Sequence, residues 1–425
     1  MKNILLLGSG GRECALAWKL SQSHLCGNFY IAPGNAGTGE YGINLPISYN
    51  DFEGIRKACI DYKIDILIPG PEDPLVAGIY DFFKNDPKLK HILVAGPSKE
   101  GAQLEGSKAF SKKFMGRHNI PTAAYSEFTK ESFERGVAYI KRGEMPIVLK
   151  ADGLAAGKGV VIAQNSIDAV KAFRAMVMDK QFGQASEKVV IEQFLDGIEL
   201  SVFVLTDGWN YVLLPEAKDY KRIGEGDQGL NTGGMGAVSP VPIADDAFMQ
   251  KVVERIIQPT IKGLKDENIT YQGFIFFGLI KVKNEPYVIE YNCRMGDPET
   301  EVVMPRLEND LVELIIKMGE GKLNEVEVQH SSKAAGAVML VSAGYPGDYQ
   351  KGKVMTGFEQ IKGSIPFHAG TALKDKDVIT NGGRVLAVTS LGSNLKQALE
   401  KSYENAALIN YEGKYYRKDI GWEFL

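Results

Sequence analysis

Over its first hundred residues the chain repeats one pattern, a short apolar run closed by glycine or proline and followed by helical spacing. The runs fall at residues 3–7, 28–32, 64–69 and 92–95. They close on Gly8-Ser9-Gly10-Gly11, Pro33-Gly34-Asn35, Gly70-Pro71-Glu72 and Gly96-Pro97. Strands alternating with helices in this way specify a parallel α/β sheet. Ligands of such sheets bind at the carboxyl ends of the strands, which makes these loops candidate substrate contacts. The first loop lacks the third glycine of a dinucleotide fingerprint, with Glu13 near that position. Pro33-Gly34-Asn35 follows the second strand, where a ribose-binding acid would stand, so no nicotinamide cofactor is expected. Glycines and free amides at a helix start, beside Arg12, still favour an anion such as a phosphate. A tight structural turn is the plainer alternative.

Further along, a Lys- and Ser-rich helix is expected over 99–119, ended by Pro121. Strands recur at 146–150, 160–163, 189–194 and 199–205, with helices at 129–142 and 167–178, a β-rich block resembling a small lid. From 224 to 236, Gly224, Gly226, Gly229, Gly233, Gly234 and Gly236 crowd one segment. It is not low-complexity and reads as an ordered binding loop. A helix at 245–265, a hairpin at 273–292 and a last α/β unit from about 334 complete the chain. That unit has strands at 335–342 and 384–390 and a helix at 394–410. At 425 residues the length suits roughly three domains.

Composition excludes several function classes. The net charge is −4 with no block of Lys or Arg, so no nucleic-acid footprint is expected. Cys14, Cys26, Cys59 and Cys293 show neither zinc spacing nor a disulfide framework, which fits a reducing cytosol. The apolar part of the first eight residues is short for a signal peptide, and no run approaches a membrane span. A cytoplasmic protein without membrane partners is the expectation.

The chemistry concentrates at 287–301. An apolar strand there delivers Glu290, Asn292 and Arg294 to one end, followed by Met295-Gly296-Asp297-Pro298-Glu299-Thr300-Glu301. Strict strand alternation puts Val288, Glu290 and Asn292 on one face. A carboxylate and an amide oxygen two residues apart suit a hard cation, and the Arg294 fork suits phosphate or carboxylate. Gly153-Leu154-Ala155-Ala156-Gly157-Lys158-Gly159 is one residue short of a Walker A loop and lacks its Ser/Thr, yet it can cover phosphates. Lys150 ends a strand as a second phosphate candidate. The strand through Glu192 and Phe194 suits an adenine edge and face, and Glu199 the ribose hydroxyls.

Together these features resemble the ATP-grasp superfamily and, within it, the phosphoribosylamine–glycine ligase (glycinamide ribonucleotide synthetase) family. The resemblance runs nearly end to end, through Gly8-Ser9-Gly10-Gly11-Arg12-Glu13, Pro33-Gly34-Asn35-Ala36-Gly37-Thr38, Gly70-Pro71-Glu72-Asp73-Pro74-Leu75, 149–159, 231–240, 294–301, Gly344-Tyr345-Pro346 and 367–371. It implies an amino-terminal open parallel sheet domain (1–103), an ATP-grasp core with a small lid (104–327, lid about 123–193) and a carboxy-terminal α/β domain (328–425). The implied reaction joins glycine to 5-phosphoribosylamine with ATP through glycyl phosphate, an early step of purine synthesis.

By the same resemblance, Glu290 and Asn292 hold Mg²⁺ or Mn²⁺. Lys108, Lys150, Gly157, Lys158, Gly159, Glu192, Phe194 and Glu199 bind ATP, with Lys158 and Arg294 assisting the transfer. Substrates meet Gly10, Gly11, Arg12, Asn35, Gly37, Thr38, Pro71, Glu72, Asp219, Gly234, Arg294, Gly296 and Asp297. The protein is expected to be a monomer. Another ATP-grasp carboxylate–amine ligase, or a nucleotide-binding protein without turnover, shares the fold. One departure stands out: Cys14 follows Gly-Arg-Glu where the family usually carries His, which places a polar contact near the sugar phosphate in doubt.

Overall fold

The computed structural model describes residues 1–154 and 159–425. Its amino-terminal sheet contains β1 (Lys2–Gly8), β2 (Cys26–Pro33), β3 (Ile43–Asn44), β4 (Ile66–Pro69) and β5 (Leu93–Val94). They run parallel in the order β3-β2-β1-β4-β5. β1 is central and buried on both faces: Leu5 and Leu7 enter one core, Ile4 and Leu6 another. Strand order reverses between β2 and β4, on either side of β1, which opens a crevice at their carboxyl ends. The loop into helix α1 (Gly11–Leu20) and the loop after β4 both lie there.

These two loops are glycine-rich because Glu13 folds back between them. A Cβ on Gly8 (φ +124°) would stand 2.5 Å from the Glu13 side chain, and one on Gly70 would stand 2.2 Å from its Oε1. The Gly10 amide donates to Glu13 Oε2 at 2.6 Å, and Arg12 Nε donates to Oε1 at 2.6 Å.

The lid is an antiparallel sheet ordered Tyr125–Thr129, Lys188–Gln193, Ile147–Ala151 and Val160–Ala163. Helices Phe133–Arg142 and Ser166–Val177 pack on it, with Phe133 and Phe173 stacked at 5.2 Å. The helix expected over 99–119 is two pieces, Gln103–Gly106 and Lys108–Arg117. Between them Ser107 is extended; its Oγ accepts from the Phe110 amide at 3.1 Å, and lid residue Asp152 accepts from the Ala109 amide at 2.7 Å. Side-chain acceptors therefore start a new helix where the periodicity suggests one continuous element.

Facing the lid is a central antiparallel sheet of Tyr211–Leu213, Ile198–Thr206, Gly273–Val282 and Glu285–Asn292. Its last strand departs from the expected alternation. Pairing steps from Leu279↔Val288 to Gly278↔Glu290, a bulge that leaves Ile289 unmatched. Val288 and Tyr291 therefore share one core, while Glu290 and Asn292 stay half-exposed. Val288 does not share the face of the candidate metal residues.

The third sheet orders Lys218–Asp219, Gly236–Ser239, Ala334–Val341, Arg384–Gly392 and Ser364–His368, with helix Leu395–Leu408 against it. The glycine-rich segment forms the hairpin Arg222–Gly224 and Gln228–Asn231 before entering this sheet. Among the described residues no helix is long and apolar enough to cross a membrane.

Candidate active site

The cleft between lid and central sheet gathers charge that folding would otherwise exclude. Glu192, on the middle lid strand, lies 3.0 Å from Lys150 Nζ and 3.1 Å from Lys112 Nζ, all three nearly fully buried. Lys150 also donates to the Ile289 carbonyl at 3.1 Å, the residue freed from pairing by the bulge. Lys112 donates to Thr122 Oγ1 at 2.7 Å. Burial above all pulls the Lys112 ammonium down to about 8, against the attraction of Glu192. Glu192 Oε1 is buried without a partner among the described residues. An acceptor in that state suits an amino group such as the exocyclic amine of adenine. Leu104, Ser111, Ile289 and Tyr291 line the same small cavity with Lys108, Lys112, Glu192 and Glu290.

Phe194 is half-buried in the connector between lid and central sheet. Glu199, expected at the ribose, lies 2.5 Å from Lys221 Nζ, which is also 3.9 Å from Asp219. Lys221 holds the Glu199 carboxyl below its usual range. Gly157 and Lys158 lie outside the described residues. Gly159 is buried, and its carbonyl accepts from the Ala151 amide at 2.8 Å.

At the far end of the bulged strand, Glu290 lies 4.0 Å from Lys108 Nζ. Burial pushes its carboxyl up, but Lys108, Lys221, Lys150 and Arg294 together bring it below the usual carboxylate range. Asn292 donates its amide nitrogen to Glu105 Oε1 at 2.9 Å, which leaves the amide oxygen as the end available to a cation. Among the described residues no cluster of three or more His, Cys, Asp or Glu is built to cage a metal. One carboxylate and one amide suit a cation completed by substrate phosphates, as Mg²⁺ usually is.

Arg294 is held from two sides, 2.8 Å from Glu105 Oε1 and 3.2 Å from Glu72 Oε2. Burial pushes Glu72 up, yet Arg294 and then Arg12 outweigh it and bring the carboxyl down to about 2. Glu105 Oε2 also accepts the Cys293 amide at 2.8 Å. The fork is thus aimed by fixed carboxylates.

The amino-terminal loops close the third side. Arg12 is buried, its guanidinium bound to Glu13 and to the Met295 carbonyl at 3.3 Å, and its amide donates to Asp297 Oδ2 at 3.3 Å. Asp297 also lies 2.9 Å from Arg384. Asn35 and Thr38 turn inward. The Asn35 amide nitrogen donates to the carbonyls of Ser9 (2.9 Å) and His368 (2.7 Å), and its oxygen accepts from the Gly37 and Thr38 amides. Those two side chains are spent on ordering the loop. Pro71 precedes the helix carrying Glu72, and Gly234 and Gly296 pack against Pro298 and Glu299. Cys14 is wholly buried in the core with Met339 and Phe367.

Two sequence comparisons and one structural comparison place the chain among known proteins. Family models described as phosphoribosylglycinamide synthetase match as an N domain over residues 2–105, an ATP-grasp (A) domain over 106–300 and a C domain over 335–423. The chain belongs to the phosphoribosylglycinamide synthetase family. It is 46% identical over 425 residues to the phosphoribosylamine–glycine ligase of Haemophilus influenzae, covering 99% of this chain and 98% of that one. Against the Yersinia pestis enzyme of the same name it is 45% identical, again covering 99% and 98%. The crystal structure of the Thermotoga maritima phosphoribosylamine–glycine ligase superposes with a TM-score of 0.86 at 36% identity, covering 98% of this chain and 99% of that one. A biotin carboxylase from Campylobacter jejuni shares the fold, with a TM-score of 0.71 at 18% identity, covering 97% and 92%.

Set within a synthetase of this family, the residues that sequence reasoning missed are Glu105, Lys112 and Lys221. Each is tied to a partner distant in sequence, Glu105 to Cys293, Lys112 to Glu192 and Lys221 to Glu199. Only Lys221, two residues past Asp219, had a local signal.

Proposed function

We propose that the chain joins glycine to 5-phosphoribosylamine at the expense of ATP, giving glycinamide ribonucleotide, ADP and phosphate in de novo purine biosynthesis. The carrying observation is the strand end that presents Glu290 and Asn292, with Arg294 two residues beyond it. It lies between a buried Lys112–Glu192–Lys150 cluster and the glycine-rich loops of the parallel sheet. High identity to the named ligases over nearly the whole chain supports the same reading.

A carboxylate is a poor electrophile, so glycine must be activated before an amine can displace one of its oxygens. In this reading a glycine carboxylate oxygen attacks the γ-phosphorus, ADP leaves, and glycyl phosphate forms. The amine nitrogen of phosphoribosylamine then attacks the carbonyl carbon; phosphate departs, and the nitrogen releases a proton. Positioning and charge stabilisation carry such transfers. Lys108, Lys150, Glu192, Phe194 and Glu199 hold the nucleotide, with the segment through Gly157, Lys158 and Gly159 over its phosphates. Glu290 and Asn292 hold Mg²⁺ or Mn²⁺, which would neutralise charge on the phosphate oxygens. Arg294 faces the developing acyl phosphate. The loops at Gly10–Arg12, Asn35–Thr38 and Pro71–Glu72 take the ribose phosphate, with Asp219, Gly234, Gly296 and Asp297 lining the substrate side.

No side-chain nucleophile is needed, and the cysteines do not supply one. Burial raises the thiols of Cys14, Cys26, Cys59 and Cys293 above the ordinary value. The segments 1–103, 104–327 and 328–425 serve as substrate, nucleotide and carboxy-terminal units of a cytoplasmic monomer. The test is ADP and phosphate release with every combination of ATP, glycine and phosphoribosylamine. Full turnover only with all three is expected; equal ATP hydrolysis without glycine would reject the reading.

A further inference from the structure

Arg384 begins a strand of the carboxy-terminal sheet, yet its guanidinium works in the loops of the central cleft. One nitrogen donates to the Gly233 carbonyl at 2.7 Å and to the Asp297 carbonyl at 2.8 Å. The other lies 2.9 Å from Asp297 Oδ1. Asp297 uses its second oxygen on the Arg12 amide. Tyr345, also from the carboxy-terminal unit, accepts the Gly233 amide on its hydroxyl at 2.9 Å.

The two loops held this way touch each other with no room to spare. A Cβ on Gly233 would stand 2.9 Å from the Arg384 guanidinium carbon. On Gly234 (φ +121°) it would stand 2.3 Å from Pro298. Side chains are thus excluded where the glycine turn meets the 294–299 loop. The buried Lys112–Glu192–Lys150 cluster is held by other partners, Thr122 and the Ile289 carbonyl among them.

We infer that Arg384 is a positioning residue for ligation. It fixes the gap between the 233–236 turn and the 294–299 loop, and Tyr345 fixes the same turn from its amide. The spacing serves the glycine and phosphoribosylamine end of the cleft and leaves nucleotide binding alone. A planar fork is required, because its two terminal nitrogens meet the carbonyls and the carboxylate from separate fixed positions, whereas the three donors of a lysine all leave one nitrogen on a shorter stem. The inference rests on the ligase reading above.

The experiment is steady-state kinetics in all three substrates for the intact protein and for Arg384→Lys, Arg384→Gln and Tyr345→Phe. It is run beside the melting temperature and the Kd of a non-hydrolysable ATP analogue. For both Arg384 variants, kcat/KM for glycine and phosphoribosylamine falls about tenfold or more, the scale of one lost charged hydrogen bond. The analogue Kd stays within about twofold, and Lys rescues little although it keeps the charge. Tyr345→Phe follows in the same direction, more weakly, and covers the case in which the Arg384 variants do not fold. Unchanged glycine and phosphoribosylamine kinetics overturn the inference. So does a loss shared equally with nucleotide binding and accompanied by a lower melting temperature. If the unaltered protein shows no glycine- and amine-dependent ADP release, the ligase reading itself falls and takes this inference with it.

Discussion

At the scale of single residues, the bulged strand presents two proposed metal ligands of different kinds. Glu290 carries charge and Asn292 only a dipole, so their loss differs. Glu290→Ala lowers kcat by on the order of a hundredfold or more at ordinary Mg²⁺, because the phosphates lose a neutralising partner. Asn292→Ala loses less, since water replaces a neutral oxygen; kinetics titrated against Mg²⁺ measure both. A second prediction concerns Glu299, whose carboxyl burial and then Asp219 push up to about 7 from 4.5. Between those values the folded chain keeps a proton that the unfolded chain releases. Its contribution is therefore fully present below pH 4.5 and lost as pH rises through 7. Glu299→Gln, which still offers an oxygen to Ser201, should flatten the fall in melting temperature across that window. A parallel shift of the whole curve would assign the pH effect to other groups. Glu290, Asn292 and Arg294 are legible as candidates in the sequence because they fall within five residues, two on one strand and one just past its end. Glu105 is not: it meets Cys293 across 188 residues, and nothing near it in the chain announces that partner.

At the scale of elements, periodicity located most strands and helices but not their interruptions. The bulge at Ile289 gives Lys150 a carbonyl, a tertiary contact that no local pattern carries, and the break at Ser107 joins a local serine cap to a second acceptor, Asp152, from the distant lid. The break matters because Lys108 sits in the first turn of the helix that Asp152 caps. Asp152→Ala removes the acceptor of the Ala109 amide and of the Ser107 hydroxyl, costing about 0.5–2 kcal/mol. Because the cap also sets Lys108, the KM for ATP rises several-fold while that for glycine stays level. Urea unfolding and ATP saturation curves test both halves. Lost stability with an unchanged ATP KM would separate the cap from the nucleotide.

At the scale of the whole molecule, the amino-terminal loops are tied to the rest by a few directed bonds. Asn35 is the clearest, with one amide nitrogen reaching the Ser9 and His368 carbonyls from opposite units. Asn35→Ala leaves buried carbonyls short of a donor and costs roughly 1–3 kcal/mol. Thermal unfolding of the intact chain measures it, and the affinity for an ATP analogue is expected to hold, since the bond lies away from the lid. The sequence marked three stretches of chain, and the third sheet does not respect them. Gly236–Ser239 lies between Lys218–Asp219 and Ala334–Val341, so strands from the middle of the chain complete a sheet begun near its end. The molecule is accordingly a poor candidate for modular exchange. A hybrid that swaps the last hundred residues for those of a distant relative must match a foreign strand edge along Gly236–Ser239. A shortened chain ending near residue 328 bares that edge to other copies, inviting the intermolecular pairing that native sheets avoid.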